Sequence, residues 1–100
     1  MRKESFGEYI RRLRELKNLP LRKVAAQLDI DTSTLSKVER GDRPMSIEYL
    51  KPLSQMLEVD LKELQIKFVA DSINKDYGSL EYLPDGLKEA ENQYLKAKRK

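Results

Sequence analysis

The sequence predicts an all-α fold, and three observations support this prediction. Apolar residues recur at helical spacing along most of the chain. Capping residues, Gly and Pro separate these apolar runs from one another. The chain has 39% apolar and 37% charged residues, which fits a helix-rich domain with a solvated surface. A length of 100 residues suits a single domain, with or without a tail.

A capping-box pattern predicts where the first helix begins. Ser5 and Glu8 have the required spacing, so the helix should begin at Phe6. Its apolar stripe continues to about Lys17, and Pro20 prevents a longer helix. The stripe consists of Phe6, Tyr9, Ile10, Leu13 and Leu16. Three cations lie off the stripe, on a face that is either solvated or in contact with phosphates: Arg11, Arg12 and Lys17.

Two short helices follow, joined by three residues. Leu21–Leu28 carries apolar residues at positions i, i+3, i+4 and i+7, as a helix with one buried face does. Residues 29–31 form the connection, and Asp31 is a suitable N-cap for the next helix. That helix is predicted to span Thr32–Arg40, with Gly41 as its C-terminal stop.

A proline complicates the fourth predicted helix. Ser46 is a suitable cap, and the apolar spacing continues to about Glu58. Pro52 lacks the N–H of a regular helix, so it should kink this helix or move its regular start to a later residue.

The fifth predicted helix carries more apolar residues than one narrow stripe needs. Asp60 and Glu63 resemble a second capping box, so the helix should begin at Leu61 and reach about Asn74. Its apolar residues are Leu64, Ile66, Phe68, Val69 and Ile73. This surplus indicates two buried faces, and it favours a dimer interface over intramolecular cover for a last helix. Gly-containing sequence over residues 75–86 then predicts a loop, and the last helix should follow over residues 87–98.

Basic charge is concentrated in the first two thirds of the chain and at its end. The net charge is +3, with 20 Lys and Arg against 17 Asp and Glu, a mild preference for anionic partners. Residues 1–60 carry 12 basic and 10 acidic side chains, whereas residues 61–95 carry 4 basic and 7 acidic ones. The final run KAKRK, residues 96–100, is predicted to form a disordered solubilising end rather than a DNA-binding arm.

The composition excludes several classes of function. There is no cysteine and no histidine, so disulfides, thiolate metal sites and the commonest general base are absent. The carboxylates show no metal-ligand spacing, and no nucleophile stands beside a base. No apolar run reaches the roughly 18 residues of a membrane span, and no apolar segment of a signal peptide follows the basic N-terminus. We therefore expect a cytoplasmic, non-enzymatic protein without a cofactor and without a membrane partner.

Two short helices joined by three residues match the helix-turn-helix arrangement. Leu21–Leu28 would be the supporting helix and Thr32–Arg40 the recognition helix. In the recognition helix, Leu35 and Val38 form a narrow apolar stripe, and the remaining surface is polar. A helix that enters the major groove needs this composition, because its outer face must offer donors, acceptors and methyl groups to base edges. The side chain of Lys37 is long enough to reach guanine acceptors or a phosphate.

The sequence also resembles a known family over residues 6–64. The matching segments are IRRLRELKNL, VAAQLDIDTSTLSKVERG and SIEYLKPLSQMLEVDLKEL. They resemble the phage repressor and Cro-like helix-turn-helix family, also called the xenobiotic response element (XRE) family. Seven residues fall at the family's framework positions: Ala25, Leu28, Ile30, Leu35, Val38, Glu39 and Gly41. The resemblance implies a five-helix lambda-repressor-like domain over residues 1–64. Residues 65–100 would form a C-terminal helical extension for dimerisation or partner binding, with a basic tail at 96–100.

The resemblance further implies roles for individual residues. The positions expected to face base edges, or backbone beside them, are Thr32, Ser33, Thr34, Ser36 and Lys37. Arg40 and Arg43 match phosphate-contacting positions. Arg14 and Glu39 match a structural ion pair that joins the first and third helices.

Three residues depart from the family pattern. Pro20 stands where Ser or Asn usually caps the second helix, and Asp29 replaces the usual Gly of the turn. Leu21 replaces a Gln that usually bonds a phosphate, so that contact is in question. Arg22, the next residue, is the candidate to replace it.

Together these features predict a sequence-specific transcription regulator, a repressor, that binds double-stranded DNA as a homodimer. The half-sites of its operator would lie about one helical turn apart. A second interpretation keeps the fold and makes protein binding the main task. In that case the protein is antitoxin-like, or is held by another protein through residues 65–95, where the acidic balance and the spare apolar residues lie.

Overall fold

The structure, a computed structural model, describes residues 3–99. Across those residues the secondary structure consists of six α-helices and one 3₁₀ turn, with no β-strand. The α-helices are α1 (Phe6–Leu16), α2 (Leu21–Gln27), α3 (Thr32–Arg40), α4 (Leu50–Leu57), α5 (Leu61–Tyr77) and α6 (Leu83–Lys98). The predicted all-α fold is confirmed.

The start of α1 follows the predicted capping box. The Ser5 hydroxyl accepts a hydrogen bond from the Glu8 N–H at 3.1 Å, and the Ser5 N–H donates to the Glu8 carboxylate at 2.9 Å. The bounds of α3 also agree with the prediction, and Gly41 ends that helix with φ of +83°. A residue with a Cβ is strained in this left-handed conformation, which explains the glycine.

Pro52 determines where α4 begins. Ser46 precedes a 3₁₀ turn, Ile47–Tyr49, and the regular helix starts only at Leu50. Pro52 is therefore the third residue of α4, where a helix N–H has no intrahelical partner. The predicted later start of the helix is confirmed. Its physical reason is that the missing N–H of a proline breaks no hydrogen bond in the first turn.

Three predicted N-terminal caps do not form the expected side-chain hydrogen bonds. Asp31 and Ser46 occupy N-cap positions, but neither side chain makes a capping hydrogen bond. At α5 the Asp60 carboxylate accepts from the Lys62 N–H at 3.0 Å, one residue earlier than in a capping box. Glu63 instead accepts a long hydrogen bond of 3.5 Å from the Tyr9 hydroxyl on α1. The predicted second capping box is therefore wrong, since a tertiary contact takes its carboxylate.

The C-terminal helices are longer than predicted. α5 continues to Tyr77, and α6 begins at Leu83, so the loop spans only residues 78–82. Pro84 is the second residue of α6, where its missing N–H is tolerated, and Asp85 follows in the first turn. The loop predicted over residues 75–86 is wrong, because Pro84 is compatible with the first turn of a helix and Gly86 is accommodated within α6.

The basic end of the chain is also more ordered than expected. Lys96–Lys98 belongs to α6, and Arg99 is the C-cap of that helix. The prediction of a disordered end is therefore wrong for these residues, while Lys100 lies outside the described residues. The predicted boundary between residues 1–64 and 65–100 falls within α5, so one continuous helix joins the two segments.

The hydrophobic core lies between the first five helices. Its buried residues are Phe6, Tyr9, Ile10, Val24, Ala25, Leu28, Leu35, Val38, Met45, Leu50, Leu53, Leu57 and Leu64. Phe68 on α5 extends the core by packing edge-on against Phe6, with ring centroids 5.3 Å apart. Within residues 3–99, no helix combines the length and the apolar character needed to cross a membrane.

Gly7 allows α1 to approach the end of α3 very closely. A Cβ at this position would lie 2.3 Å from the Val38 carbonyl oxygen and 2.5 Å from that of Glu39. Real Cβ atoms do not approach backbone oxygen this closely, so only glycine fits. Gly7 therefore sets the distance between α1 and α3.

Candidate nucleic-acid interface

The surface of α3 divides into a buried stripe and a polar outer face. Leu35, Val38 and Glu39 are buried against the domain. The residues for which base contacts are expected lie on the remaining surface. Thr32, Ser33 and Lys37 are exposed, whereas Thr34 and Ser36 are half-buried.

The connection between α2 and α3 is a tight turn that positions α3. Asp29 adopts φ of +57°, the left-handed conformation in which family members usually have Gly. The N–H groups of Asp29 and Ile30 donate to the carbonyls of Ala26 and Ala25 at 3.1 and 3.0 Å. These bonds satisfy the carbonyls at the end of α2. Asp tolerates the left-handed region better than most residues, so this departure leaves the turn intact.

A buried ion pair attaches α3 to α1. Arg14 Nε lies 2.7 Å from Glu39 Oε2, and Arg14 Nη2 lies 3.1 Å from Glu39 Oε1. The side chains are only 11% and 5% exposed, respectively. A further bond from Arg14 Nη1 to the Leu19 carbonyl, at 2.8 Å, holds the end of α1 as well. The hydrogen bond to Glu39 is the main reason why the pKa of Arg14 is raised, so the guanidinium stays charged despite its burial.

The C-terminal end of α3 and the segment after it present cations to solvent. Arg40 and Arg43 are both exposed. Arg40 Nε lies 3.3 Å from a carboxylate oxygen of Asp42, but both side chains are more than half exposed. An exposed pair of this kind is weak, so a phosphate can compete for the guanidinium.

Lys75 connects α5 to this segment. Its Nζ donates to the carbonyl oxygen of Gly41 at 2.7 Å. That carbonyl belongs to the C-terminal end of α3, where the helix dipole favours a cation. Lys75 therefore links the C-terminal part of the chain to the loop that carries Arg43.

At the start of α2, the structure shows the consequences of the residues that differ from the family pattern. Pro20 is the N-cap of this helix and provides no side-chain hydrogen bond. Leu21 is half-buried against the hydrophobic core, so it does not offer a polar group at the usual position of Gln. Arg22 is exposed.

The remaining cations of α1 and of its C-cap, Lys17, form ion pairs on the surface. Arg11 pairs with Glu15 at 3.3 Å, Arg12 pairs with Glu4 through two hydrogen bonds, and Lys17 pairs with Glu58. The hydrogen bond from Arg12 lowers the pKa of Glu4, and the hydrogen bond from Lys17 lowers that of Glu58.

The two tyrosines near the core differ in their environment. Tyr9 is buried, and its ring lies beneath the cations of Arg12 and Lys67. Burial, and then the neighbouring Glu63, raise the pKa of Tyr9. Tyr49 is half-buried and packs against the core.

Comparison with known proteins identifies the fold. The model of the helix-turn-helix family matches residues 10–64, which is 55 of the 100 residues. The chain belongs to the Cro/C1-type helix-turn-helix family. Members of this XRE family are DNA-binding regulators, and this chain is a DNA-binding regulator of the XRE type. No curated protein and no solved structure shows significant similarity to it.

The Cro/C1-type module includes α2, α3 and α4 in full, most of α1 and the beginning of α5. Most of α5 and all of α6 lie outside it. Within residues 3–99 there is no group of three or more side chains placed to hold a metal ion.

Two residues that support the candidate interface were not found from the sequence. Gly7 lies within a strong helical pattern, where glycine is unfavourable. A glycine at such a position can indicate that another helix approaches closely. Lys75 gave no signal, because it is 34 positions from its partner Gly41 in the chain.

Proposed function

We propose that the protein is a sequence-specific transcription repressor that inserts α3 into the major groove of double-stranded DNA. The arrangement of α3 supports this most directly. Its inner stripe and the Arg14–Glu39 pair fix the helix to the domain, and its outer face offers hydroxyl, methyl and ammonium groups to solvent. Repression is the simplest effect of such binding, because a protein bound at its operator excludes polymerase from the same DNA.

The base contacts would come from the outer face of α3. Thr32, Ser33 and Lys37 are exposed. Thr34 and Ser36 are half-buried, which suits contacts with the DNA backbone or with base edges through water. We propose Lys37 as the most specific reader, because its ammonium can donate to the O6 and N7 acceptors of guanine.

The phosphate contacts would flank α3 on both sides. Arg40 is the last residue of α3, Arg43 lies after it, and Arg22 lies at the start of α2. All three are exposed, and none is needed for the hydrophobic core. These contacts position the protein on the duplex and supply much of the affinity, which therefore depends on salt.

We further propose that the protein acts as a homodimer in the cytoplasm, without enzymatic activity and without a cofactor. Two copies related by a two-fold axis would read two half-sites about one helical turn apart. Exposed apolar residues on α5 and α6 supply a surface for this contact. Residues 65–100 would then serve dimerisation, while residues 1–64 serve DNA binding.

A second candidate function uses the same surface differently. The exposed apolar residues of α5 and α6 also fit an antitoxin-like regulator whose C-terminal part binds another protein. The DNA-binding module is common to both functions. The partner of the C-terminal surface distinguishes them.

Selection from a random pool of DNA duplexes tests the DNA function. We expect enriched sequences with two inverted half-sites, bound more tightly than unselected DNA of equal length. Thr32→Ala/Lys37→Ala protein should lose this enrichment while it keeps salt-dependent, non-specific binding. A pool that shows no enrichment with the unmodified protein would contradict sequence-specific binding.

A further inference from the structure

α6 is a long helix that has no adequate partner within its own chain. None of the residues of α6 is fully buried. A helix of 16 residues has only marginal stability in water when it is isolated. Its stability therefore requires packing against another surface.

Five of the six apolar residues of α6 form one stripe suited to helix pairing. They are Leu83, Leu87, Ala90, Tyr94 and Ala97, at alternating spacings of four and three residues. This spacing is the seam of a coiled-coil contact between two helices. Leu87 and Tyr94 are 42% and 53% exposed, so the seam is open to a partner.

The two ends of α6 carry opposite charge. Leu83–Glu91 holds three carboxylates and one lysine, a net charge of −2. Residues 96–99 hold three cations and no acid, a net charge of +3. Glu89 and Glu91 are repeated two helical turns later by Lys96 and Lys98, so acid and base occupy equivalent positions around the helix. Within the described part of the chain, none of these four residues forms an ion pair.

We propose that α6 pairs with α6 of a second copy of this chain in an antiparallel arrangement. The inference rests on the homodimer of the proposed function and assigns its interface. With the two-fold axis near residues 93 and 94, an antiparallel pair places Glu89 and Glu91 of each helix beside Lys98 and Lys96 of the other, and it also opposes the two helix dipoles favourably. A parallel pair would place acid beside acid and base beside base. A two-fold axis perpendicular to the helices generates the antiparallel pair and makes both copies equivalent.

The interface extends from α6 onto α5. Ile66 and Val69 on α5 are 58% and 51% exposed, and together with Leu87 they line a groove between the two helices. One helix face is narrow compared with the roughly 800 Å² per partner of a standard interface. The groove supplies additional apolar surface. Eight of the ten large exposed hydrophobic residues belong to the segment from Ile66 to Leu95, so the exposed apolar surface is concentrated in this part of the chain.

Charge exchange tests the arrangement in solution. An acidic variant, Lys96→Glu/Lys98→Glu, and a basic variant, Glu89→Lys/Glu91→Lys, each remove the complementarity. An exchange variant carries all four substitutions and restores it with the charges reversed. Analytical ultracentrifugation of the full chain at low and high salt measures the dimer dissociation constant. Circular dichroism confirms that each variant folds, which we expect because the substituted side chains are exposed.

We expect the unmodified protein to dimerise, and to dimerise more weakly at high salt. Each single-end variant should weaken the dimer about tenfold at low salt, and the exchange variant should restore it. A monomeric unmodified protein, equal dissociation constants for all four proteins, or an exchange variant that remains weak would each overturn the antiparallel pair. Binding to selected DNA is measured in parallel. A monomer that still binds a half-site overturns the homodimer and this interface but leaves the proposed DNA binding in place, whereas a dimer that binds no DNA overturns only the proposed DNA binding.

Discussion

The guanidinium of Arg14 and the carboxylate of Glu39 form a two-pronged ion pair between α1 and α3, with nitrogen–oxygen distances of 2.7 and 3.1 Å. Both side chains are almost entirely buried. Glu39 lies on the same helix as the proposed DNA contacts, where a free carboxylate would repel phosphates. The pair therefore has two effects: it fixes α3 to the domain and it neutralises a charge beside the interface.

We predict that Glu39→Ala lowers the free energy of unfolding by about 3–5 kcal/mol, because it leaves the buried charge of Arg14 without its partner. Arg14→Ala should have a similar effect. The double variant should lose less than the sum of the two, as measured by urea denaturation. As a control, Arg11→Ala removes an exposed pair with Glu15 and should cost less than about 1 kcal/mol. Strict additivity of the first two changes would show that the pair contributes no coupling.

Gly7→Ala should destabilise the domain by about 1–3 kcal/mol, because the added methyl would overlap backbone oxygens at the end of α3. Thermal and urea unfolding measure this loss. Gly86→Ala is the matched control, since a Cβ at that helical position meets open space. It should leave stability unchanged or raise it by up to about 1 kcal/mol. Equal effects of the two substitutions would disprove the close approach of α1 and α3.

Lys37→Ala should relax the preference for one base pair by about 1–3 kcal/mol while affinity for other sequences changes less. Competition binding with a set of duplexes that differ at single positions measures the effect. If affinity falls equally for every sequence, Lys37 contacts a phosphate and the proposed base contact is wrong.

Arg43→Ala should weaken binding to all sequences alike and reduce the slope of log K against log salt by about one. Fluorescence anisotropy titrations at several salt concentrations give this slope. Lys88→Ala removes an exposed cation on α6 and should leave the slope unchanged. An unaltered slope for Arg43→Ala would remove this residue from the interface.

Lys75→Ala should lower DNA affinity several-fold, because the loop that carries Arg43 loses a hydrogen bond worth about 0.5–1.5 kcal/mol. The salt slope should stay constant, since Lys75 acts on the loop and not on a phosphate. The same anisotropy titrations measure both quantities. A slope reduced by about one would instead make Lys75 a phosphate contact, and unchanged affinity would show that the bond to Gly41 does not hold the loop.

The sequence by itself determined the helices whose signals are local. The capping box at Ser5 and the glycine at position 41 fixed the ends of α1 and α3, because such signals act over one helical turn. The late start of α4 followed from the missing N–H of Pro52. The helix-turn-helix arrangement and the exposed polar face of α3 followed from apolar spacing together with the three-residue connection and the stop at Gly41.

Only the tertiary structure decided features that depend on distant residues. Glu63 accepts a hydrogen bond from Tyr9, 54 positions away, instead of forming the expected capping box. Lys75 donates to the carbonyl of Gly41, 34 positions away. The early start of α6 was also missed, since Pro84 is compatible with either a loop or a first helical turn. Periodicity and caps report the chemistry of neighbouring residues, whereas contacts between helices depend on how the whole core packs. The sequence therefore specified which helix faces outward, and the packing specified what holds it there.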